Sequence, residues 1–164
     1  MVGKKFISLT IATILLIIGC RIIDCRNNTQ FIYNTQIKNI IYNVAGNKDI
    51  LKHTYITDTK YIKLKRSDIV KIVNGIRRFK YKKEVCDCDD FHVILHGFVR
   101  FLQCDEQCDF PIAFGECIIE GNKTTHALNF AITSDDGFVF ADKLNEDKWF
   151  VWKPKGEVIL MVKM

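Results

Sequence analysis

The chain has 164 residues, 48% of them hydrophobic, with 12 Phe, only 2 Pro and a formal net charge of +5. That length bounds it to one domain of ordinary size once any targeting segment is set aside, and the composition excludes a disordered chain. The charge is split: residues 1–83 hold 17 Lys/Arg against 4 Asp/Glu, and residues 84–164 hold 7 against 15. A basic front suits an anionic surface and an acidic back suits cations.

In chain order, Lys4 and Lys5 precede an apolar run from Phe6 to Ile18, which ends at Gly19-Cys20. A positive flank, a short apolar core and a small residue make a secretory signal. Ile17-Ile18-Gly19-Cys20 also resembles a bacterial lipobox, in which Cys20 would be lipidated and become the mature N-terminus. The alternative is an uncleaved anchor from Phe6 to about Ile23, just long enough to span a bilayer. Either way residues 1–24 are expected to anchor the chain to a membrane. The paired Lys hold the start inside, so the domain lies outside the cytoplasm, in the periplasm or on the cell surface.

Residues 25–59 are polar and show no sustained period, which reads as a tether followed by one or two loosely specified elements. Residues 60–164 then form the domain. Ser67-Asp68 opens a helix with an apolar stripe of Ile69, Val70, Ile72, Val73 and Ile76 that ends near Gly75 to Arg78. The basic tract Arg77-Arg78-Phe79-Lys80-Tyr81-Lys82-Lys83 follows; in an exported chain it fits an anionic membrane or wall surface, and no nucleic-acid partner is expected.

A second helix begins immediately after Cys88-Asp89-Asp90, with Cys88 at its first turn and Phe91, Ile94, Leu95, Phe98, Val99 and Leu102 on its inward face. Strands follow at Ile112 to Ile119 and Thr125 to Thr133. Asp135-Asp136-Gly137 turns the chain into Phe138 to Ala141, and Phe150 to Trp152 and Val158 to Val162 close it. A helix followed by an antiparallel sheet is an α+β arrangement.

Seven cysteines in an exported chain point to disulfides, and the odd number leaves at least one thiol over. Cys104 and Cys108 are expected in a loop before Pro111, either joined to one another or as spare thiols, and Cys117 in the core.

Cys88 is the candidate nucleophile, because the free amides and dipole at a helix start favour its thiolate. His126, on the strand from Thr125, is the candidate base. Asn129 on that strand or Asp142 on the next is the candidate for fixing the ring. The words Glu84-Val85-Cys86-Asp87-Cys88-Asp89-Asp90-Phe91, Ile112-Ala113-Phe114-Gly115 and Thr125-His126-Ala127-Leu128-Asn129 carry a resemblance. They resemble the papain-like cysteine protease domain at the C-terminus of a fungal agglutinin and its phage and bacterial relatives, over roughly residues 60–164. Bacterial transglutaminase-like cysteine proteinases share a similar start.

The resemblance implies a calcium-dependent thiol peptidase or amidase acting on a peptide or peptidoglycan substrate. Its fold would be a papain-like half-domain, with the Cys helix packed on the His-bearing antiparallel sheet. In it, Cys88 is the nucleophile, His126 the base, and Asp89, Asp90 and Asn129 the candidate calcium ligands. Calcium also has an electrostatic rationale. Asp87, Asp89 and Asp90 flank the thiol and would weaken it, and a bound divalent cation would neutralise them. Where relatives have a Glu-Pro-Gln word, this chain reads Val139-Phe140-Ala141-Asp142-Lys143. The alternatives are a catalytically degenerate calcium-binding or interaction module of the same fold, and a zinc-stabilised domain. In the latter, Cys88, His92 and His96 are spaced by four on one helical face, with a fourth ligand from Cys86, Cys104 or Cys108.

Overall fold

The structure, a computed structural model, describes residues 25, 30–75, 87–105, 108–121, 124–142, 148–151 and 157–164. The expected signal or anchor at 1–24 and the basic tract at 77–83 lie outside the described residues. Among the described residues no helix is long and apolar enough to cross a membrane.

The chain opens with β1 (Phe31–Tyr33) and α1 (Asn34–Ala45), then a 3-10 turn (Lys48–His53), β2 (Thr54–Tyr55), β3 (Lys60–Ile62) and α2 (Arg66–Asn74). The long helix α3 (Cys88–Asp105) follows, and then β4 (Phe114–Glu120), β5 (Thr125–Thr133), β6 (Gly137–Asp142), β7 (Lys148–Val151) and β8 (Val158–Lys163). The stretch 25–59, expected as a tether with loosely specified elements, carries β1, α1, the 3-10 turn and β2. Alternation of Ile37 and Ile41 along α1 places both fully inside. Tyr33 N–H donates to Gln36 Oε1 at 3.0 Å to begin that helix, and Gly46, at φ 66°, ends it with its N–H on the Tyr42 carbonyl.

The fold is α+β. Six strands form one sheet in the order β2-β8-β4-β5-β6-β7, and β1 pairs with β3 separately. All neighbours are antiparallel except β2, which runs parallel to β8. The β5–β6 hairpin turns at Gly137, whose φ of 70° suits glycine.

Both faces of this sheet are covered. On one face Ile37, Ile41 and Ile50 pack on Leu128, Phe130, Ile132, Phe138 and Phe140. On the other, Ile69, Ile72 and Val73 of α2 and Leu95, Val99 and Leu102 of α3 pack on Phe114, Ala131 and Val139. Double burial explains why β4 to β6 read as apolar runs rather than alternations. The faces still differ. On the α1 side Phe130 and Phe138 stack with ring centroids 4.9 Å apart, and Phe138 meets Phe140 edge to face at 5.1 Å. On the α3 side small side chains alternate with polar ones. Gly115 is required on β4, since a Cβ there would meet the Lys163 carbonyl oxygen at 2.3 Å.

Cys108 is bonded to Cys25, across 83 positions of sequence and 5.3 Å between Cα atoms, not to Cys104. Of the two alternatives expected for Cys104 and Cys108, their mutual disulfide is corrected, and the spare-thiol reading holds for Cys104 alone. Cys117 is buried as expected, its sulfur bonded to the Leu128 carbonyl, and burial pushes its thiol well above the usual range.

Candidate functional site

Cys88 is the first residue of α3, half-buried and free of any disulfide. The Asp87 carbonyl accepts the first helical bond, from Phe91 N–H at 3.1 Å. Asp90 Oδ2 accepts the Asp87 N–H at 3.3 Å, the reach-back half of a capping box. Amides of this first turn have no intrahelical acceptor. Asp89 and Asp90, both exposed, set negative charge where the helix dipole welcomes it. The acids beside the thiol therefore serve the helix start whether or not they also bind a cation.

Asp87, Cys88 and Asp89 each offer a ligand atom, all within 4.8 Å of one another. A hydrogen bond from Asp87 holds the Asp89 carboxyl above the usual range, with the charges of Asp87 and Asp90 adding to it. A divalent cation there would offset the crowded negative charge, and the carboxylate oxygens of this donor set fit calcium. Asn129, expected among the ligands, is elsewhere. It is buried under α3, its Nδ2 donating to the carbonyls of His92 at 2.9 Å and Gly115 at 3.2 Å.

Beneath α3 lies a polar network. Glu116 on β4 is 5% exposed and meets both helix histidines, each 7% exposed. Glu116 Oε1 is 2.5 Å from His96 Nδ1, and Oε2 is 3.4 Å from His92 Nε2. Arg100 Nε donates to His96 Nε2 at 3.1 Å and its terminal nitrogen to Gln103 Oε1 at 3.1 Å. A guanidinium only donates, so His96 presents a lone pair at Nε2 and its proton at Nδ1, facing Glu116. His92 Nδ1 donates to the Cys88 carbonyl at 3.1 Å and so braces the turn that carries the thiol.

Burial opposes the charged His92 ring, but the bonds to Glu116 and to the Cys88 carbonyl, with the charges of Glu116 and Asp89, raise its pKa overall. Burial opposes the Glu116 carboxylate as well. The bonds from His92 and His96, and the charges of His96 and Lys163, bring it down to about 2.

This network lay outside the expected site. His92, His96 and Gln103 point inward with Phe91, Leu95, Val99 and Leu102, whereas Ile94, expected on the inner face, is 40% exposed. Glu116 was the missed signal: a lone acid in the apolar run Phe114–Ile119, two residues past Phe114 and on the same strand face. Both nitrogens of His92 and of His96 are engaged, and Cys108 lies in a disulfide. The zinc alternative would have to displace Glu116 or Arg100.

Contacts fix where α3 sits. His92 meets Asn129, and Leu95 and Val99 share a cluster with Ala131. The helix therefore runs in the same sense as β5, and Cys88 lies toward the Thr125 end. His126, the second residue of β5, is at that end too. Its register partner is Ile119, which packs into the α1-side core. Side-chain alternation gives His126 that same face, opposite to the one α3 covers. The structure thus brings Cys88 and His126 to one end of the sheet on opposite faces. Asp142 ends β6 in register with Lys148, one residue past Ala141, the partner of Asn129.

No family model matches this sequence, and no curated protein does. Solved structures match in fold. One, described as a PSL1a–E64 complex, has a TM-score of 0.64 and 19% identity, covering 74% of this chain and 46% of that chain. Another is the Polyporus squamosus lectin bound to the human-type influenza-binding epitope Neu5Acα2-6Galβ1-4GlcNAc, with a TM-score of 0.68, 16% identity, and coverage of 84% and 50%. The chain spans about half the length of these proteins. At such identities the likeness shows the fold alone, an α+β arrangement.

Proposed function

We propose that this chain is a membrane-anchored, extracytoplasmic thiol hydrolase of papain-like type, acting on peptide or amide bonds with Cys88 as nucleophile. The observation that carries the reading is a free, half-buried thiol on the first residue of an 18-residue helix packed on an antiparallel sheet. A neighbour of this fold is described in complex with E64.

In the proposed reaction the Cys88 thiolate attacks the carbonyl carbon, and the first-turn amides of α3 face the oxygen that becomes negative. His126 is assigned to take the thiol proton and return it to the leaving amine, which requires its ring to reach past the Thr125 end of β5 to the α3 side, and water then releases the acyl group from sulfur. Asn129 braces α3 through the His92 carbonyl rather than orienting the base, which leaves that role to Asp142. Calcium, when held by Asp87 and Asp89, supplies positive charge that offsets the carboxylates beside the thiol.

A second reading is favoured by the register of His126: a module of the same fold that retains a reactive thiol, binds calcium and displays an interaction surface without hydrolysis. One experiment separates the two. Labelling by E64 and by iodoacetamide, and turnover of peptide and peptidoglycan-stem substrates, are measured with calcium and with chelator for the wild type, Cys88→Ala and His126→Ala. The hydrolase reading expects turnover and labelling to vanish in Cys88→Ala, and His126→Ala to lose turnover by roughly 10²–10⁴-fold. Labelling at Cys88 with no turnover of any substrate selects the module. Full-rate labelling in Cys88→Ala overturns both.

A further inference from the structure

We propose that Cys104, Cys108 and Cys25 form a thiol–disulfide exchange site at the far end of α3, where the bridge moves from Cys25–Cys108 to Cys104–Cys108 and frees Cys25. It is independent of the hydrolase reading.

Three observations converge on this site. First, α3 ends at Asp105, yet the Cys108 N–H donates to the Gln103 carbonyl at 3.0 Å. That bond ties Cys108 to the last turn of α3. Cys108 therefore sits against the turn that carries Cys104.

Second, Cys104 is a free and exposed thiol, while Cys108, already bonded, is half-buried. Both line one cleft of about 280 Å³, together with Asp58, Gln103 and Phe110. Gln103 Nε2 is buried there without a hydrogen-bond partner among the described residues. Third, the departing partner is remote in sequence. Cys25 is 5% exposed and belongs to the core cluster of α2 and α3.

The step balances internally. Cys104, as thiolate, attacks the Cys108 sulfur. The Cys104–Cys108 bond forms as the Cys108–Cys25 bond breaks, and Cys25 leaves as thiolate and takes up the proton that Cys104 gave to solvent. One thiol and one disulfide stand on each side, so no oxidant or reductant is consumed. Before exchange, the chain preceding β1 is fastened covalently to the end of the helix that carries Cys88. Afterwards the bridge closes only the helix end, and the preceding chain is held by the β1–β3 pairing. The exchange thus couples an N-terminal attachment to the site helix.

The test uses the full chain, incubated without added oxidant, sampled over time by alkylation and mapped without reduction after cleavage at Asp105 and Glu106. Cys104 alkylation should fall and Cys25 alkylation rise by the same fraction, at constant total thiol, as linked Cys104 and Cys108 peptides appear. Cys104→Ser should hold Cys25 unlabelled throughout. In Cys25→Ser, oxidised glutathione should drive Cys104 and Cys108 together. Constant, complete Cys104 alkylation with no Cys104–Cys108 peptide overturns the proposal. So does equal Cys25 labelling in Cys104→Ser, or single glutathione caps on Cys104 and Cys108 in Cys25→Ser.

Discussion

The two faces of the central sheet are built on different principles. Against α1 the sheet presents Phe130, Phe138 and Phe140, a stacked aromatic layer in which every buried atom gains dispersion and loses water. Against α3 it presents Ala127, Ala131, Asn129 and Glu116, small residues that let the helix approach and polar ones that grip its carbonyls and imidazoles. The aromatic face tolerates hydrophobic exchange that conserves volume. The polar face specifies where α3 sits, and with it the position of Cys88, because Asn129 and Glu116 bind the His92 carbonyl and the two imidazoles of that helix.

The largest break should come from the aromatic face. Phe130→Ala is expected to cost about 3–5 kcal/mol by urea denaturation, while the alkylation rate of Cys88 in the folded fraction stays at the wild-type value. A changed rate would mean that the two faces are not separable.

Next is Glu116→Gln, which keeps an acceptor and removes the charge. A carboxyl drawn from 4.5 to about 2 corresponds to about 3 kcal/mol, taken at 1.4 kcal/mol per pH unit. With a depressed folded pKa, the unfolded chain binds the proton first. The contribution is complete above about 4.5 and disappears as the pH falls past about 2. The stability gap between wild type and variant should therefore be widest near neutrality and close toward pH 2. A gap that persists there would assign the loss to packing.

Chelation tests the start of α3. If Asp87 and Asp89 hold calcium, a hundredfold excess over the dissociation constant adds about 2.7 kcal/mol. Adding chelator should lower the melting temperature, and Asp89→Asn should remove most of that shift. Identical melting with calcium and with chelator would rule the cation out while leaving the thiol in question untouched.

The smallest effect concerns His92. Its raised pKa means the folded state holds the proton more tightly, so its contribution is complete below about 6.5 and is lost as the pH rises through the folded value. The gap between wild type and His92→Gln should narrow on the alkaline side. A double-mutant cycle with Glu116→Gln should be non-additive, because the two share one contact.

Much of this was legible in the residues. Thr125–Thr133 formed the expected strand, Asp135-Asp136-Gly137 the expected turn, and Cys88 lies at the start of its helix as expected. Those signals are local, since a turn residue or a helix start acts on its own backbone. Glu116 was not legible as a partner of His92 and His96, because they are more than 19 positions apart and only the packing of α3 on β4 joins them.

The sequence by itself determined the α+β class, the order of elements from α2 onward and a thiol at a helix start, all set by short-range periodicity and turn residues. Only the tertiary structure decided that α1 belongs to the core, that Cys108 bonds Cys25, and which face each β5 residue takes. A shift of one residue in strand register exchanges the two faces. The separation of Cys88 from His126 rests on that register, which comes from pairing with Ile119 on β4 rather than from the residues beside His126.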